Sequence, residues 1–146
     1  MKNLLKVLLI TLFSLSIIAC SNDNDNNNNP TATDGFKWRE NSATATEKTA
    51  GSAEVRTQYK SIFAFAGATS STGTVFEINL TGVTPGTYNL GTNNAFYFNG
   101  ATGNPTSGKV VITANANGKA SGSFEAFYAS GTITSVYGTF TNIPVN

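Results

Sequence analysis

The sequence predicts an all-β domain, an antiparallel β-sandwich or small β-barrel of about seven or eight strands. Three observations carry that expectation. From Gly35 onward Thr, Val, Ile, Phe and Tyr are frequent, residue types that fit a pleated, half-buried surface. Gly and Asn punctuate this stretch at short intervals, as turns require. No window shows sustained apolar spacing at the helical period.

The strands follow in order. Phe36 to Trp38 is a short first strand, and Ala43 to Ala53 (ATATEKTAGSA), which lacks a large apolar residue, reads as a loop or short turn. Val55 to Ala68 reads as one long strand. Tyr59, Ser61, Phe63 and Phe65 share one of its faces and Ile62, Ala64 and Ala66 the other, and two partly apolar faces predict a central position. Thr74 to Val83 alternates cleanly, with Phe76, Ile78 and Leu80 inward and Glu77 and Asn79 outward. Pro85-Gly86 turns the chain before Tyr88 and Leu90. Asn94 to Gly100 puts Phe96 and Phe98 on one face and Tyr97 on the other.

The second half repeats the pattern. Lys109 to Ala114 and Ala120 to Ala129 form a hairpin around Asn117-Gly118, the strongest short turn signal in the chain. Val110, Ile112 and Ala114 make one inward row, faced by Phe124, Ala126 and Tyr128. The last strand runs from about Thr132 to Ile143, with Gly138 a bulge or a point of close approach. Sixteen aromatic residues, of which only Phe13 precedes Gly35, provide bulk for a core without disulfides.

The chain before this domain carries a different message. Lys2 and Lys6 form a positive n-region, Val7 to Ala19 a mostly apolar h-region, and Ala19 a small residue before a cut, which together read as a secretory signal over residues 1–19. The apolar run is broken by Thr11, Ser14 and Ser16 and is shorter than the ~20 residues a membrane span needs. Ile17-Ile18-Ala19-Cys20 resembles a bacterial lipobox, which implies that Cys20 is acylated and becomes the first residue of the mature chain. Several acyl chains anchor stably, because each buried CH₂ contributes ~0.8 kcal/mol and one chain alone is marginal. Cys20 is the only cysteine, so no disulfide forms within the chain.

Residues 20–34 then read as a lipidated cysteine plus an Asn/Asp-rich tether, and residues 35–146 as one domain. Every residue from Asn22 to Asn29 is Asn or Asp, and such a stretch buries too little to repay the entropy of ordering. As a flexible coil it would hold the domain roughly 20 Å from the lipid. A calcium loop with Asp23, Asp25 and Asn27 at positions 1, 3 and 5 fails, because Asn28 stands where Gly is needed and Asp34 where Glu is usual. Polar and acidic residues after a lipidated cysteine also resemble the export signal of surface lipoproteins of Bacteroidota. That resemblance implies an outer membrane lipoprotein, at the cell surface rather than on the periplasmic face.

A third resemblance covers most of the mature chain. The Trp38 strand, "PGTYNLG", "GKVVIT" followed by "SGSFEAF", and the closing "GTFTNI" are similar, in that order, to small Bacteroidota lipoprotein domains of unknown function. It implies an all-β lipoprotein domain and brings no catalytic residues.

The residue inventory narrows the chemistry. There is no His, no Cys beyond Cys20 and no Asp after Asp34, so Ser-His-Asp and Cys-His nucleophile systems and zinc sites built on His or Cys are excluded. No cofactor is expected. From Gly35 onward seven Lys and Arg face five Glu without a basic cluster, so nucleic acid is not an expected partner. The partners expected are membrane lipid, through acylated Cys20, and a glycan or an envelope protein. A non-catalytic binding or accessory module at the envelope is the leading expectation, with Trp38, Tyr97 and Phe127 as ligand-binding candidates and Asn93, Asn94 and Asn99 as hydrogen-bonding neighbours or turn residues. Against it, Trp38 closes the core and Phe127 belongs to a second buried face. The alternatives are a structural or protein-interaction component pairing through an edge strand, and a hydrolase using two of Glu40, Glu47, Glu54, Glu77 and Glu125.

Overall fold

The computed structural model describes residues 33–146. The signal, Cys20 and the Asn/Asp tract lie outside the described residues, apart from the last two positions of the tether. Ten strands form in the domain: β1 Gly35–Glu40, β2 Lys48–Thr49, β3 Ser52–Arg56, β4 Ser61–Phe65, β5 Thr74–Asn79, β6 Gly86–Asn89, β7 Ala95–Phe98, β8 Ser107–Ala116, β9 Lys119–Phe127 and β10 Ser135–Pro144. They make two antiparallel sheets, ordered β2-β1-β10-β9-β8-β6 and β3-β4-β5-β7. The architecture is an open sandwich rather than a closed barrel.

The chain crosses between layers at β2 to β3, β5 to β6, β6 to β7 and β7 to β8, so the two inner faces are built from interleaved segments. Alternation along each strand decides what faces inward. The inward rows meet in one core that includes Phe36, Trp38, Val55, Ile62, Phe76, Ile78, Phe96, Val110, Phe124 and Phe140. Phe76 is at its centre. Its ring lies 4.5 Å from Phe98, 5.0 Å from Phe36, 5.2 Å from Trp38, 5.6 Å from Phe124 and 5.7 Å from Phe96, centroid to centroid.

Two glycines make this density possible. In the register of β9 and β10, Phe124 stands opposite Gly138 and Phe140 opposite Gly122. A Cβ on Gly138 would come within 2.1 Å of the Phe124 ring, and one on Gly122 within 2.4 Å of the Phe140 ring. Each ring therefore lies over the glycine of the neighbouring strand. The close approach expected at Gly138 is real, whereas the bulge of β10 falls between Phe140 and Ile143, where Asn142 takes φ 50°.

The hairpin at Asn117-Gly118 is as expected, with both residues at positive φ (54° and 70°), the pattern of a type I′ turn. Three expectations are corrected. The long strand from Val55 is a hairpin: β3 ends at Arg56, a 3₁₀ turn spans Thr57–Tyr59, and Lys60 takes φ 53° before β4 begins. Nothing in Thr-Gln-Tyr-Lys signals this turn, and its anchors come from far along the chain. Asn146 O accepts from the Thr57 N–H and Oγ1 at 2.8 and 2.7 Å, and Lys60 O accepts from Leu80 N at 3.0 Å. As expected, β4 is central in its sheet.

The second correction is Ala114, which faces solvent. A bulge between Ile112 and Ala114 inserts one residue, flips the faces beyond it, and turns Asn115 to donate from Nδ2 to Val83 O at 2.7 Å. The third is the strand number, ten rather than seven or eight, because of the split hairpin and short pieces such as β2.

Candidate functional site

The three aromatic candidates do not converge. Trp38 shares the parity of Phe36 on β1 and so faces the core rather than an outer surface, at 8% exposure. Its indole Nε1 donates to Glu40 Oε1 at 2.9 Å. Burial raises the Glu40 carboxyl, but hydrogen bonds from Lys48 and Trp38 and the charge of Lys48 outweigh it and hold it below the usual glutamate range. Glu40 thus stays an anion that clamps the tryptophan.

Phe127 lies on the outer face of the larger sheet, half-buried, with its ring edge-on to Tyr137 at 5.8 Å. Tyr97 lies on the outer face of the smaller sheet and is 48% exposed. These are opposite sides of the sandwich, so Phe127 and Tyr97 belong to separate surfaces.

On the larger sheet a groove of ≈ 220 Å³ runs over Ser123 between Arg39, Tyr137, Lys109 and Glu125. Its charges are already satisfied. Arg39 Nη2 lies 2.6 Å from Glu47, and Lys109 Nζ lies 3.3 Å from Glu125. A ligand there would have to separate or desolvate existing ion pairs, which returns little at an exposed site.

The smaller sheet is arranged differently. The register places Glu54, Phe63, Glu77 and Tyr97 in one row across β3, β4, β5 and β7. Phe63 stacks beside Phe65 at 6.0 Å, and the Arg56 guanidinium caps both rings at 4.6 and 5.7 Å. Arg56 is held there by Glu54, through Nε at 2.6 Å. Those ring faces are occupied. In that row the aromatic side chain left open is Tyr97, beside a depression of ≈ 590 Å³ lined also by Glu77, Asn99, Gly103 and Asn104.

The asparagines separate by role. Asn94 is buried, accepting from Thr81 N at 2.7 Å and donating to Asn89 O at 2.8 Å, so it is a loop clamp and not a ligand contact. Asn99 and Asn104 are exposed at the depression, and neither amide has a side-chain partner among the described residues. Sequence reasoning pointed to Tyr97 and Asn99 but missed Asn104, which a loop brings to β7, and gave Glu77 no binding role. The outward parity of Glu77 was the available signal.

Glu77 and Glu125 lie on opposite outer faces, and Glu40, Glu47, Glu54 and Glu125 are each in ion pairs. Tyr128 is the other polar group of note. Its hydroxyl is buried with no hydrogen-bond partner among the described residues, and burial pushes its pKa up to about 12, so it remains protonated inside the core. No protein-family model, curated protein or solved structure matches the chain.

Proposed function

We propose that this chain is an outer membrane lipoprotein, anchored through acylated Cys20 and displayed at the cell surface, whose β-sandwich is a non-catalytic binding module for glycans. The family it resembles is that of the small Bacteroidota lipoproteins. The observation that carries the binding reading is Tyr97: a half-exposed ring beside a depression edged by two amides and one carboxylate. An aromatic face offers apolar surface to the C–H face of a sugar while neighbouring amides take its hydroxyls. The side chains of Asn99 and Asn104 have hydrogen-bonding capacity to spare.

An edge-pairing protein partner has less to work with. The outermost strands β6 and β7 are four residues long, β2 is two, and the five-residue edge β3 is already met by the C-terminal segment, whose Asn146 N donates to Val55 O. Short edges limit strand addition.

Two experiments test the reading. Residues Ala32–Asn146 form one compact unit with its own core, which suits the soluble domain Gly35–Asn146 to a glycan array. A hit should weaken at least about tenfold in Tyr97→Ala, the size of loss expected of a central aromatic contact. Binding that survives this substitution unchanged sinks the Tyr97 site. For the anchor, Cys20→Ala should leave the protein without lipid label, and normal lipid labelling of that variant would refute acylation at Cys20.

A further inference from the structure

Of the five glutamates in the chain, Glu77 is the one that forms no ion pair among the described residues. Its Oε1 accepts a single neutral hydrogen bond, from Asn79 Nδ2 at 3.0 Å. It stands in register between Phe63 and Tyr97, so aromatic surface flanks it on both sides. Among the described residues no lysine or arginine lines the depression, and Glu77 is its one charged group.

We infer that the ligand of the Tyr97 depression carries a positive charge beside its hydroxyls, and that it is an oligosaccharide containing free amino sugars. This rests on the glycan reading and specifies its substrate class. A carboxylate with spare acceptor capacity forms a charge-assisted hydrogen bond to an ammonium group, roughly twice as strong as a neutral one. The open face of Tyr97 also attracts a cation through its quadrupole. The amides of Asn99 and Asn104 favour a sugar over a lysine side chain, because an alkyl stem offers them no partner. The other four glutamates are already matched by cations, as with Glu54 and Arg56 on this same face.

The full-length chain in detergent is titrated, at mildly acidic pH, with a glucosamine oligomer, its N-acetylated counterpart and a short lysine peptide. The glucosamine oligomer should bind tighter than the N-acetylated one by about tenfold, the least expected of one hydrogen bond to a charged group. Glu77→Gln should erase that difference. Equal affinity for the two sugars, both lost in Tyr97→Ala, overturns the charge preference and leaves the glycan reading standing. A lysine peptide that binds as well as the glucosamine oligomer overturns the assignment to amino sugars. Failure of both sugars to bind overturns the inference, while the glycan array decides the glycan reading by itself.

Discussion

Phe76→Ala is expected to destabilise the domain by about 4 kcal/mol, within the range of large-to-small aromatic substitutions in a core. The ring is fully buried and touches five other aromatic rings drawn from both sheets. Its removal loses the transfer energy of the ring and opens a void between layers that rigid aromatic neighbours fill poorly. Equilibrium urea unfolding checks this, followed by the fluorescence of the single, buried Trp38. Phe76→Leu should lose much less, since it restores part of the volume. A loss below about 2 kcal/mol for the alanine variant would mean that the two layers do not depend on this ring.

Gly138→Ala is expected to cost about 3 kcal/mol although it adds only a methyl group, the upper end of overpacking penalties. The added Cβ would lie 2.1 Å from the Phe124 ring and 2.4 Å from the backbone oxygen of Lys37. The ring has little freedom to yield, being packed against Phe36 at 4.9 Å and Phe96 at 5.6 Å, and the carbonyl belongs to the paired strand β1. Relief therefore requires β1 and β10 to separate. Gly86→Ala is the control. Its nearest atoms are at 3.9 Å, and it should change stability by less than about 0.5 kcal/mol, as surface substitutions usually do. Equal effects of the two substitutions in the same urea titration would contradict the account of Gly138 as a seat for Phe124.

Both expectations draw on a pattern visible only in part from the chain. Phe76, Ile78 and Leu80 alternate with polar residues, so their inward direction follows from the strand period alone. That Phe76 meets five rings depends on which strands face it across the sandwich. Gly138 was readable as a site of close approach, but its partner Phe124 becomes known only once β9 and β10 are in register.

The same division runs through the candidate site. Tyr97 was legible because it alternates with two phenylalanines that have to be inside. Of the two readings of Trp38, ligand contact or closure of the core, the structure has the second, and its parity with Phe36 already put both on one face. The depression beside Tyr97 is assembled from β5, β7 and the loop at Gly103-Asn104, segments whose proximity no local pattern encodes.

By itself the sequence determined the strand character of the chain, the inward rows of β5, β7 and β9, and the Asn117-Gly118 hairpin. These depend on local sterics and on a side-chain period of two, which neighbouring residues set among themselves. Tertiary structure alone decided the break at Lys60, the reversal of Ala114, and the isolation of Glu77 from the cations of the described residues. The break is held by Asn146 and Leu80, distant in the chain. The reversal comes from a bulge against β9, and the isolation from which strands lie side by side. Such features arise from contacts between residues far apart in sequence, and their energies exceed the weak local preferences that the chain displays along its length.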